Sequence, residues 1–347
     1  MKSRIQGNEG ILRYLPSLIF VITASLSFAY QPFNYLITIV ISFGIIPILE
    51  LFLNPVTANY EVKSKKSYNS LLYLVAVLHY ILLLWFLTIV SENKLTIAES
   101  VGIVSTMGIL CGVYGINVAH ELGHRKEKQD QIVAQSLLLT SLYMHFFIEH
   151  NRGHHKKVGT PEDPATARIN ESIYVFWIRS IVGSWISAYR LEKERLKRIG
   201  KPVFSISNQF IRFQIIQFAF LCLIVIFFSW ISLIFFLASA LIGIVLLESI
   251  NYVEHYGLQR EKLNDKVFAG IAPEHSWNSN HPLGRYILFE LSRHSDHHQN
   301  SSTIYPELKS QSEAPQLPTG YPGMMLLALI PPLWKRVMNK RLIGVKS

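Results

Sequence analysis

LLYLVAVLHYILLLWFLTIV, residues Leu71–Val90, is an apolar stretch without a charged side chain. An α-helix needs about 20 mostly apolar residues to cross a hydrocarbon core of about 30 Å, and this stretch has that length. Comparable runs cover residues of about 15–29, 35–53, 101–118, 213–230 and 233–247. The sequence therefore predicts an all-α, polytopic membrane protein with six transmembrane helices.

The composition agrees with a membrane protein. Of the 347 residues, 50% are hydrophobic and 16% are charged, whereas soluble domains carry about 25% charged residues. The net charge of +10 would favour nucleic-acid binding in a soluble protein. In a membrane protein, however, Lys and Arg mark the cytoplasmic loops. We therefore expect contact with a lipid bilayer and no nucleic-acid partner.

The N-terminus and the cysteines narrow the class further. Residues 1–13 lack a short apolar core followed by a small-residue cleavage site, so we expect no removable signal peptide. Cys111 and Cys222 lie inside apolar segments and form neither a disulfide framework nor a CxxC pair. Any redox carrier that uses thiolates must therefore be a separate chain.

Positive charges predict the orientation. They concentrate near the N-terminus (Lys2, Arg4, Arg13), in the loop with Lys63, Lys65 and Lys66, between residues 125 and 201, and in the tail 335–346. By the positive-inside rule, this pattern predicts an inner-membrane protein with both termini cytoplasmic. Turns are predicted at Gln31–Pro32 and Ser229–Ser232. The single domain, residues 1–347, then has a cytoplasmic cap of about 119–206 and 249–347.

Two further helices are predicted outside the six spans. Ile132–Ile148 is apolar and ends at a histidine cluster, so we interpret it as a helix buried against the bundle or re-entering the interface. Tyr174–Arg198 is amphipathic and has a basic end, which favours a helix at the membrane surface. Its apolar stripe is Trp177, Ile181, Trp185 and Tyr189.

Nine of the 13 histidines form three clusters and one outlier outside the apolar runs, and the predicted topology places all nine on one side of the membrane. Imidazole is the commonest metal ligand in proteins and suits Zn, Cu, Fe and Ni. Nine imidazoles exceed what one ion can use, so the sequence predicts a dinuclear metal site. These histidines are His120, His124, His150, His154, His155, His255, His294, His297 and His298.

The spacing within the clusters fits metal binding. His120 and His124 are four residues apart, so on a helix they share a face and can bind one metal. The adjacent pairs His154–His155 and His297–His298 point about 100° apart on a helix, so one pair can serve two metals or two positions on one metal. The other histidines lack such spacing and are interpreted as structural: His79, His145, His275 and His281.

The segment His120-Glu121-Leu122-Gly123-His124 also matches the HExxH motif of zinc proteases, in which the Glu is the general base. An intramembrane zinc protease is therefore an alternative function, although such an enzyme needs one further ligand and not seven. A metal store or transporter is another alternative. It predicts ligands along a path through the spans, whereas these histidines gather at one face.

Several carboxylates are candidates for orienting the histidine rings through the nitrogen that does not bind metal. They are Glu121, Glu149, Asp163, Glu254 and Asp296. Each could equally be a solvated loop charge. Glu50 lies inside the second predicted span, where a carboxylate is by default functional or paired.

The motifs HELGH (120–124), EHNRGHH (149–155), NYVEHYGL (251–258) and RHSDHH (293–298) strongly resemble those of the membrane alkane 1-monooxygenases. These enzymes belong to the three-histidine-box group that includes fatty acid desaturases, and the NYVEHYGL run separates the two. Further matches are TPEDPA (160–165), SWNSN (276–280) and LPTGYPG (317–323). The resemblance covers nearly the whole chain, and small departures at Ser292, Arg125 and Glu50 leave all nine histidines in place.

The resemblance implies a non-haem di-iron centre, held by the nine histidines at the cytoplasmic face, that uses O2 to hydroxylate the terminal methyl group of an n-alkane. Electrons would come from NAD(P)H through rubredoxin reductase and rubredoxin, and no catalytic side chain is expected beyond the metal centre. A xylene-type methyl hydroxylase and a fatty acid desaturase or hydroxylase are the alternatives within the group. The small residues Ser42 and Gly44 in the second span suggest a deep substrate channel for medium- to long-chain alkanes, or else helix packing, and Glu50 is a third channel candidate.

Overall fold

The computed structural model describes residues 9–29, 36–62, 64–265 and 267–346. The turn predicted at Gln31–Pro32 and the charges of Lys2, Arg4 and Lys63 lie outside these residues. The fold is helical, with one two-stranded antiparallel sheet of β1 (Lys262–Asn264) and β2 (Val267–Phe268). The helices are α1 (Gly10–Ala29), α2 (Ile37–Glu50), α3 (Lys66–Glu92), α4 (Ile97–Gly123), α5 (Lys128–Leu139), α6 (146–157), α7 (Ile173–Arg198), α8 (Gln209–Phe227), α9 (Trp230–His255), α10 (Pro282–Ile287), α11 (His294–Gln299), α12 (Tyr321–Ala328) and α13 (Pro331–Lys346).

Five helices in the described part of the chain, α1, α3, α4, α8 and α9, are long and apolar enough to cross a membrane. They correspond to five of the six predicted spans, although α8 ends at Phe227, three residues before the predicted end of its span, and they confirm a polytopic membrane protein. The predicted turn before α9 is also found, because the Ser229 hydroxyl accepts a hydrogen bond from the Ser232 amide at 3.0 Å. α4 and α9 extend beyond the predicted spans, to Gly123 and His255, and so carry the first cluster and the outlying histidine to the cap.

The second predicted span is shorter than expected. Residues 35–53 were predicted to cross the membrane, but α2 covers only Ile37–Glu50. At 1.5 Å per residue it is about 21 Å long, less than the hydrocarbon thickness of about 30 Å. Its last residue, Glu50, is fully buried and accepts a hydrogen bond from the Gly284 amide of α10 at 2.7 Å. The helix therefore ends against the cap, where Oε1 of Glu50 has a backbone partner and Oε2 is buried without a hydrogen-bond partner among the described residues.

α4 and α9 approach each other at glycines. A Cβ added to Gly243 would lie 2.7 Å from the Cβ of Cys111, and one added to Gly108 would lie 2.6 Å from Ile242. Small residues allow such close backbone contact between membrane helices. Because α4 ends near His120 and α9 ends at His255, this contact fixes the relative positions of two parts of the histidine cap.

The two additional predicted helices have different outcomes. Tyr174–Arg198 is confirmed as a helix, α7, but its buried face carries Phe176 and Ala188, whereas Trp185 of the predicted apolar stripe is 45% exposed. The predicted helix 132–148 is wrong as a single element, because α5 ends at Leu139 and α6 begins at Phe146. Leu142 in the connecting turn has φ +52°, a left-handed conformation that interrupts a helix.

Among the described residues, three helices contain a π-helical segment: 41–45 in α2, 111–116 in α4 and 150–154 in α6. Such segments frequently occur at functional sites. Here each one brings a residue to the same internal cavity, namely Ser42, Gly112 and His150.

Candidate metal centre

The nine clustered histidines converge into two groups in the cap. The five-histidine group is His120, His124, His150, His155 and His297, and the four-histidine group is His154, His255, His294 and His298. Within each group, one nitrogen from every ring lies within 4.8 Å of the others. The residues come from α4 or its end, α6, the end of α9 and α11, so the groups exist only after the chain has folded.

Both adjacent histidine pairs divide between the two groups. His154 belongs to the four-histidine group and His155 to the five-histidine group, and His297 and His298 divide in the same way. Neighbouring side chains on a helix diverge by about 100°, so α6 and α11 each supply a ligand position to both groups. The arrangement therefore consists of two linked sites.

The ring nitrogens have the spacing expected of ligands around an ion. Nitrogens bound at about 2.1 Å and at right angles around one metal lie about 3.0 Å apart. In the five-histidine group, the Nε2 atom of His150 lies 3.0 Å from the Nε2 atoms of both His124 and His155. In the four-histidine group, the Nε2 atoms of His294 and His298 are 2.9 Å apart.

Buried nitrogens without partners also fit a metal. The Nε2 atoms of His120, His154 and His255 are buried and have no hydrogen-bond partner within the described part of the chain. A buried polar atom left in this state is unfavourable, and coordination of an ion would satisfy it. Burial also lowers the pKa of His124 to about 3, so this ring is neutral near pH 7, which is the form that binds metal.

Asp163 orients a ring of the four-histidine group. Its Oδ2 lies 2.9 Å from the Nδ1 of His154 and accepts a hydrogen bond from the Thr166 hydroxyl at 2.6 Å. Burial would raise the pKa of Asp163, but the hydrogen bonds from His154 and Thr166 help to hold it below its usual value. The carboxylate thus fixes the His154 ring with Nδ1 toward Asp163 and leaves Nε2 for a metal.

Glu254 also contacts a histidine ring, but at Nε2 of His294, the nitrogen that faces Nε2 of His298 at 2.9 Å, and not at the opposite nitrogen as predicted. Its Oε2 lies 3.2 Å from the Nε2 of His294, and its Oε1 accepts a hydrogen bond from the Tyr321 hydroxyl at 2.7 Å. Tyr321 was not predicted as a site residue. It lies far along the chain from the histidines, in a segment singled out only by the resemblance.

The other three predicted carboxylates bind groups other than histidine rings, so that part of the prediction is corrected. Glu121 pairs with Arg125 at 3.0 Å and accepts the Tyr305 amide at 3.2 Å. Glu149 accepts a hydrogen bond from Ser187 at 3.3 Å. Asp296 accepts the Lys309 amide at 2.9 Å and Gln311 at 2.7 Å, which holds a loop of the cap. Because Glu121 is already engaged by Arg125, it is poorly placed to act as the general base of a zinc protease.

The four histidines interpreted as structural lie outside both groups in the described part of the chain. His79 is fully buried in α3, and its Nε2 lies 2.8 Å from the Thr140 hydroxyl. His275 accepts the Ala272 amide at 2.9 Å, and its carbonyl oxygen lies 3.4 Å from the Nδ1 of His255. His275 therefore also helps to orient a ring of the four-histidine group.

A narrow apolar cavity of about 70 Å³ leads to the histidines. Its walls are mainly aliphatic and aromatic, and they include His120 and His150 of one group and His294 of the other. The cavity therefore touches both metal-ligand groups.

The predicted channel residues lie at different places. Ser42 lines the cavity. Among the described residues, Gly44 is not part of the lining, and its neighbours Phe43 and Ile46 are. Glu50 contacts the backbone of Gly284, a lining residue. Asn117 and Asn251, polar lining residues that the sequence reasoning missed, carry no spacing signal that would have identified them.

Replacement of Asp163 by Asn should lower metal affinity and activity by about 10- to 100-fold, because the ring of His154 loses its anionic partner. A chelator competition assay on the metal-loaded protein measures the affinity. The matched control is Glu162→Gln, since Glu162 is an exposed carboxylate that pairs with Lys157 at 3.3 Å. Equal metal retention by Asp163→Asn and the parent chain would contradict this role.

Nine imidazoles converge at the end of an apolar cavity in a helical membrane protein. This arrangement is the one expected of a histidine-rich membrane enzyme. Sequence comparison agrees, because the model of the family described as Fatty acid desaturase matches residues 98–327.

The chain is 38% identical to Alkane 1-monooxygenase 1 of Alcanivorax borkumensis over 315 aligned residues. The alignment covers 89% of this chain and 78% of that protein. The chain is also 38% identical over 316 residues to Alkane 1-monooxygenase of Pseudomonas putida, with the same coverage. The xylene/toluene monooxygenase hydroxylase component of Pseudomonas putida is 30% identical over 254 residues, 72% of this chain and 67% of that protein. The chain belongs to the alkane 1-monooxygenase family and is an enzyme of that kind.

Proposed function

We propose that this enzyme uses O2 to hydroxylate the terminal methyl group of medium- to long-chain n-alkanes, with electrons delivered by rubredoxin from an NAD(P)H-dependent reductase. The observation that carries the proposal is the apolar cavity, which reaches from Ser42 to His120, His150 and His294. An alkane has no charge or dipole to bind, so its position must come from the shape of an apolar wall. The names of the similar alkane 1-monooxygenases support the same substrate class.

The nine histidines would hold two non-haem iron ions, one in each group. When bound, the irons supply the oxidising chemistry that activates O2 and attacks the C–H bond. The protein's own side chains position the substrate and exclude water. Phe146 stacks on the His150 ring with centroids 4.6 Å apart and lines the cavity, so it presents an apolar surface beside the histidines.

The cytoplasmic side is the proposed location of the centre, as the positive-inside rule predicts. An open groove on the cap, here called the electron-carrier groove, supports this proposal, because its lining has eight Lys or Arg side chains against three Asp or Glu. The half-buried ring of His155 lies in the same lining. The groove thus offers an acidic electron carrier a complementary surface beside the five-histidine group.

Electron transfer from rubredoxin should slow by about tenfold or more as ionic strength rises, because salt screens attraction between the carrier and this electron-carrier groove. Stopped-flow oxidation of reduced rubredoxin over a salt series measures the rate. The variant Arg190→Ala/Arg198→Ala, in two exposed groove residues, should slow the reaction and flatten the salt dependence. A rate that is independent of salt and of these two arginines would count against the groove as the docking site.

Product analysis tests the proposed function. The iron-loaded enzyme, supplied with rubredoxin, its reductase, NADH and O2, is offered octane, hexadecane, a xylene and an acyl thioester. We expect 1-octanol and 1-hexadecanol as the main products. Benzylic alcohol alone would indicate the xylene-type reaction named for the 30%-identical relative, and an unsaturated acyl product would indicate a desaturase. Either result would overturn the alkane proposal.

Ser42→Trp should shorten the longest alkane that is accepted, because an indole added at this wall would fill part of the cavity. Overpacking a well-packed site typically costs about 1–3 kcal/mol, so we expect turnover of hexadecane to fall about 5- to 150-fold while that of short alkanes persists. The matched control is Gly44→Trp, which adds more bulk outside the cavity lining. An unchanged chain-length profile for Ser42→Trp would show that Ser42 serves helix packing instead.

A further inference from the structure

A second basic cleft lies at the turn between α7 and α8, outside the metal centre. Its lining residues are Arg152, Arg195, Lys201, Ser207, Gln209 and Arg212. Four of these side chains are cationic, and within the described part of the chain the lining contains no acidic residue. Arg152 and Arg195 also line the electron-carrier groove, but Lys201 and Arg212 line this cleft and not the groove.

Glu192, which is fully buried, fixes two of the four cations. Its carboxylate accepts hydrogen bonds from Arg152 at 2.9 Å, from Arg195 at 2.6 Å and from the Gln209 amide at 2.9 Å. Burial raises the pKa of Glu192, but these hydrogen bonds outweigh it and bring the pKa to about 2. One carboxylate against four cations leaves an excess of three positive charges, held on a rigid base.

The cleft also adjoins the membrane. α8 begins at Gln209, and most of its apolar residues are exposed, as expected for a helix that faces lipid. The loop before it presents Phe204 and Ile206, which are 82% and 78% exposed. Large apolar side chains in such positions suit insertion among acyl chains. One short segment therefore presents apolar side chains for the hydrocarbon and cations for the headgroup layer.

We propose that this cleft binds the phosphate of an anionic phospholipid, with Phe204 and Ile206 inserted beside the acyl chains. Guanidinium groups bind phosphate oxygens through charge-assisted hydrogen bonds, and basic pockets beside membrane helices bind acidic headgroups. Arg152 lies in the π-helical segment that also carries His150 and His154. A lipid bound here would therefore tie α7, α8 and the histidine-bearing α6 to the membrane surface.

Native mass spectrometry of the detergent-purified full chain tests the proposal. The protein is titrated with palmitoyl-oleoyl phosphatidylglycerol or with phosphatidylcholine of the same acyl chains, and phosphatidylglycerol should bind more tightly. Lys201→Ala/Arg212→Ala should weaken phosphatidylglycerol binding about thirty-fold, since each cation near the headgroups contributes about a factor of five. The matched control Lys126→Ala/Lys128→Ala removes two exposed cations from the turn between α4 and α5 and should bind as the parent chain does.

Two further arms separate the possible ligands and interactions. Phe204→Ser/Ile206→Ser should weaken the binding of phosphatidylglycerol without changing the iron content, which shows that the variant remains folded. Millimolar inorganic phosphate should leave phosphatidylglycerol bound. Equal affinity for the two lipids, unchanged affinity in the Lys201/Arg212 variant, or displacement of phosphatidylglycerol by inorganic phosphate would each overturn the proposal.

Discussion

His154→Ala should reduce the iron content from about two ions per chain to about one, whereas His155→Ala, one residue along, should retain the second ion with weaker affinity. The difference follows from the two groups: loss of His154 leaves three imidazoles in the four-histidine group, and loss of His155 leaves four in the other. A site with three imidazoles must complete its coordination with water and should therefore lose its ion on dialysis more readily than a site with four. Metal analysis after dialysis measures the stoichiometry, and we expect hydroxylation by His154→Ala to be undetectable.

The same experiment has an internal check, because His298 and His297 repeat the division on α11. His298→Ala should resemble His154→Ala, and His297→Ala should resemble His155→Ala. His281→Ala is the control, since His281 lies outside both groups within the described residues, and it should retain the full iron content. If His154→Ala and His155→Ala instead have the same iron content, as neighbours in sequence, the division into two sites is wrong.

Glu290→Ala should destabilise the protein by about 3–5 kcal/mol, because it leaves two buried guanidinium groups without their counter-charge. Glu290, Arg285 and Arg293 are each at most 1% exposed. The carboxylate contacts Arg285 at 2.6 Å and Arg293 at 3.4 Å, and it accepts a hydrogen bond from the Tyr14 hydroxyl at 2.9 Å. Thermal unfolding of the detergent-purified protein measures the loss of stability.

This charge cluster matters because it supports the histidines of α11. Arg293 precedes His294, and its guanidinium donates to the carbonyl oxygens of Ala58 at 2.7 Å and Leu308 at 2.5 Å. The control is Glu194→Gln, which removes an exposed pair with Arg198 at 4.0 Å and should change stability by about 1 kcal/mol or less. Similar unfolding temperatures for Glu290→Ala and Glu194→Gln would show that the buried cluster does not stabilise the cap.

The long helices could be predicted because apolar length is a local property of the sequence. Leu71–Val90 lies wholly within α3, and the runs 15–29, 101–118 and 233–247 lie within α1, α4 and α9, while most of 213–230 lies in α8. The shortness of α2 could not be predicted in this way. α2 ends at Glu50, which binds the Gly284 amide more than 200 residues away. Residues 51–53 are apolar, so hydropathy alone assigns them to the span although they follow the end of the helix.

The candidate site shows the same distinction between features set by local sequence, which could be predicted, and features set by tertiary contacts, which could not. The spacing within α6 and α11 predicted that adjacent histidines diverge, and the structure divides both pairs. Which carboxylates face the rings depended on tertiary contacts: Asp163 reaches His154, but Glu121, beside His120 in sequence, faces Arg125. A helical neighbour points to another side of the helix, so adjacency to a histidine was a poor guide.

Location of the iron in the loaded enzyme tests the central claim most directly. Anomalous difference maps recorded at the iron absorption edge should show two peaks per chain, one within the four-histidine group and one within the five-histidine group, both at the end of the apolar cavity. A single peak, or peaks away from these nine rings, would contradict the account.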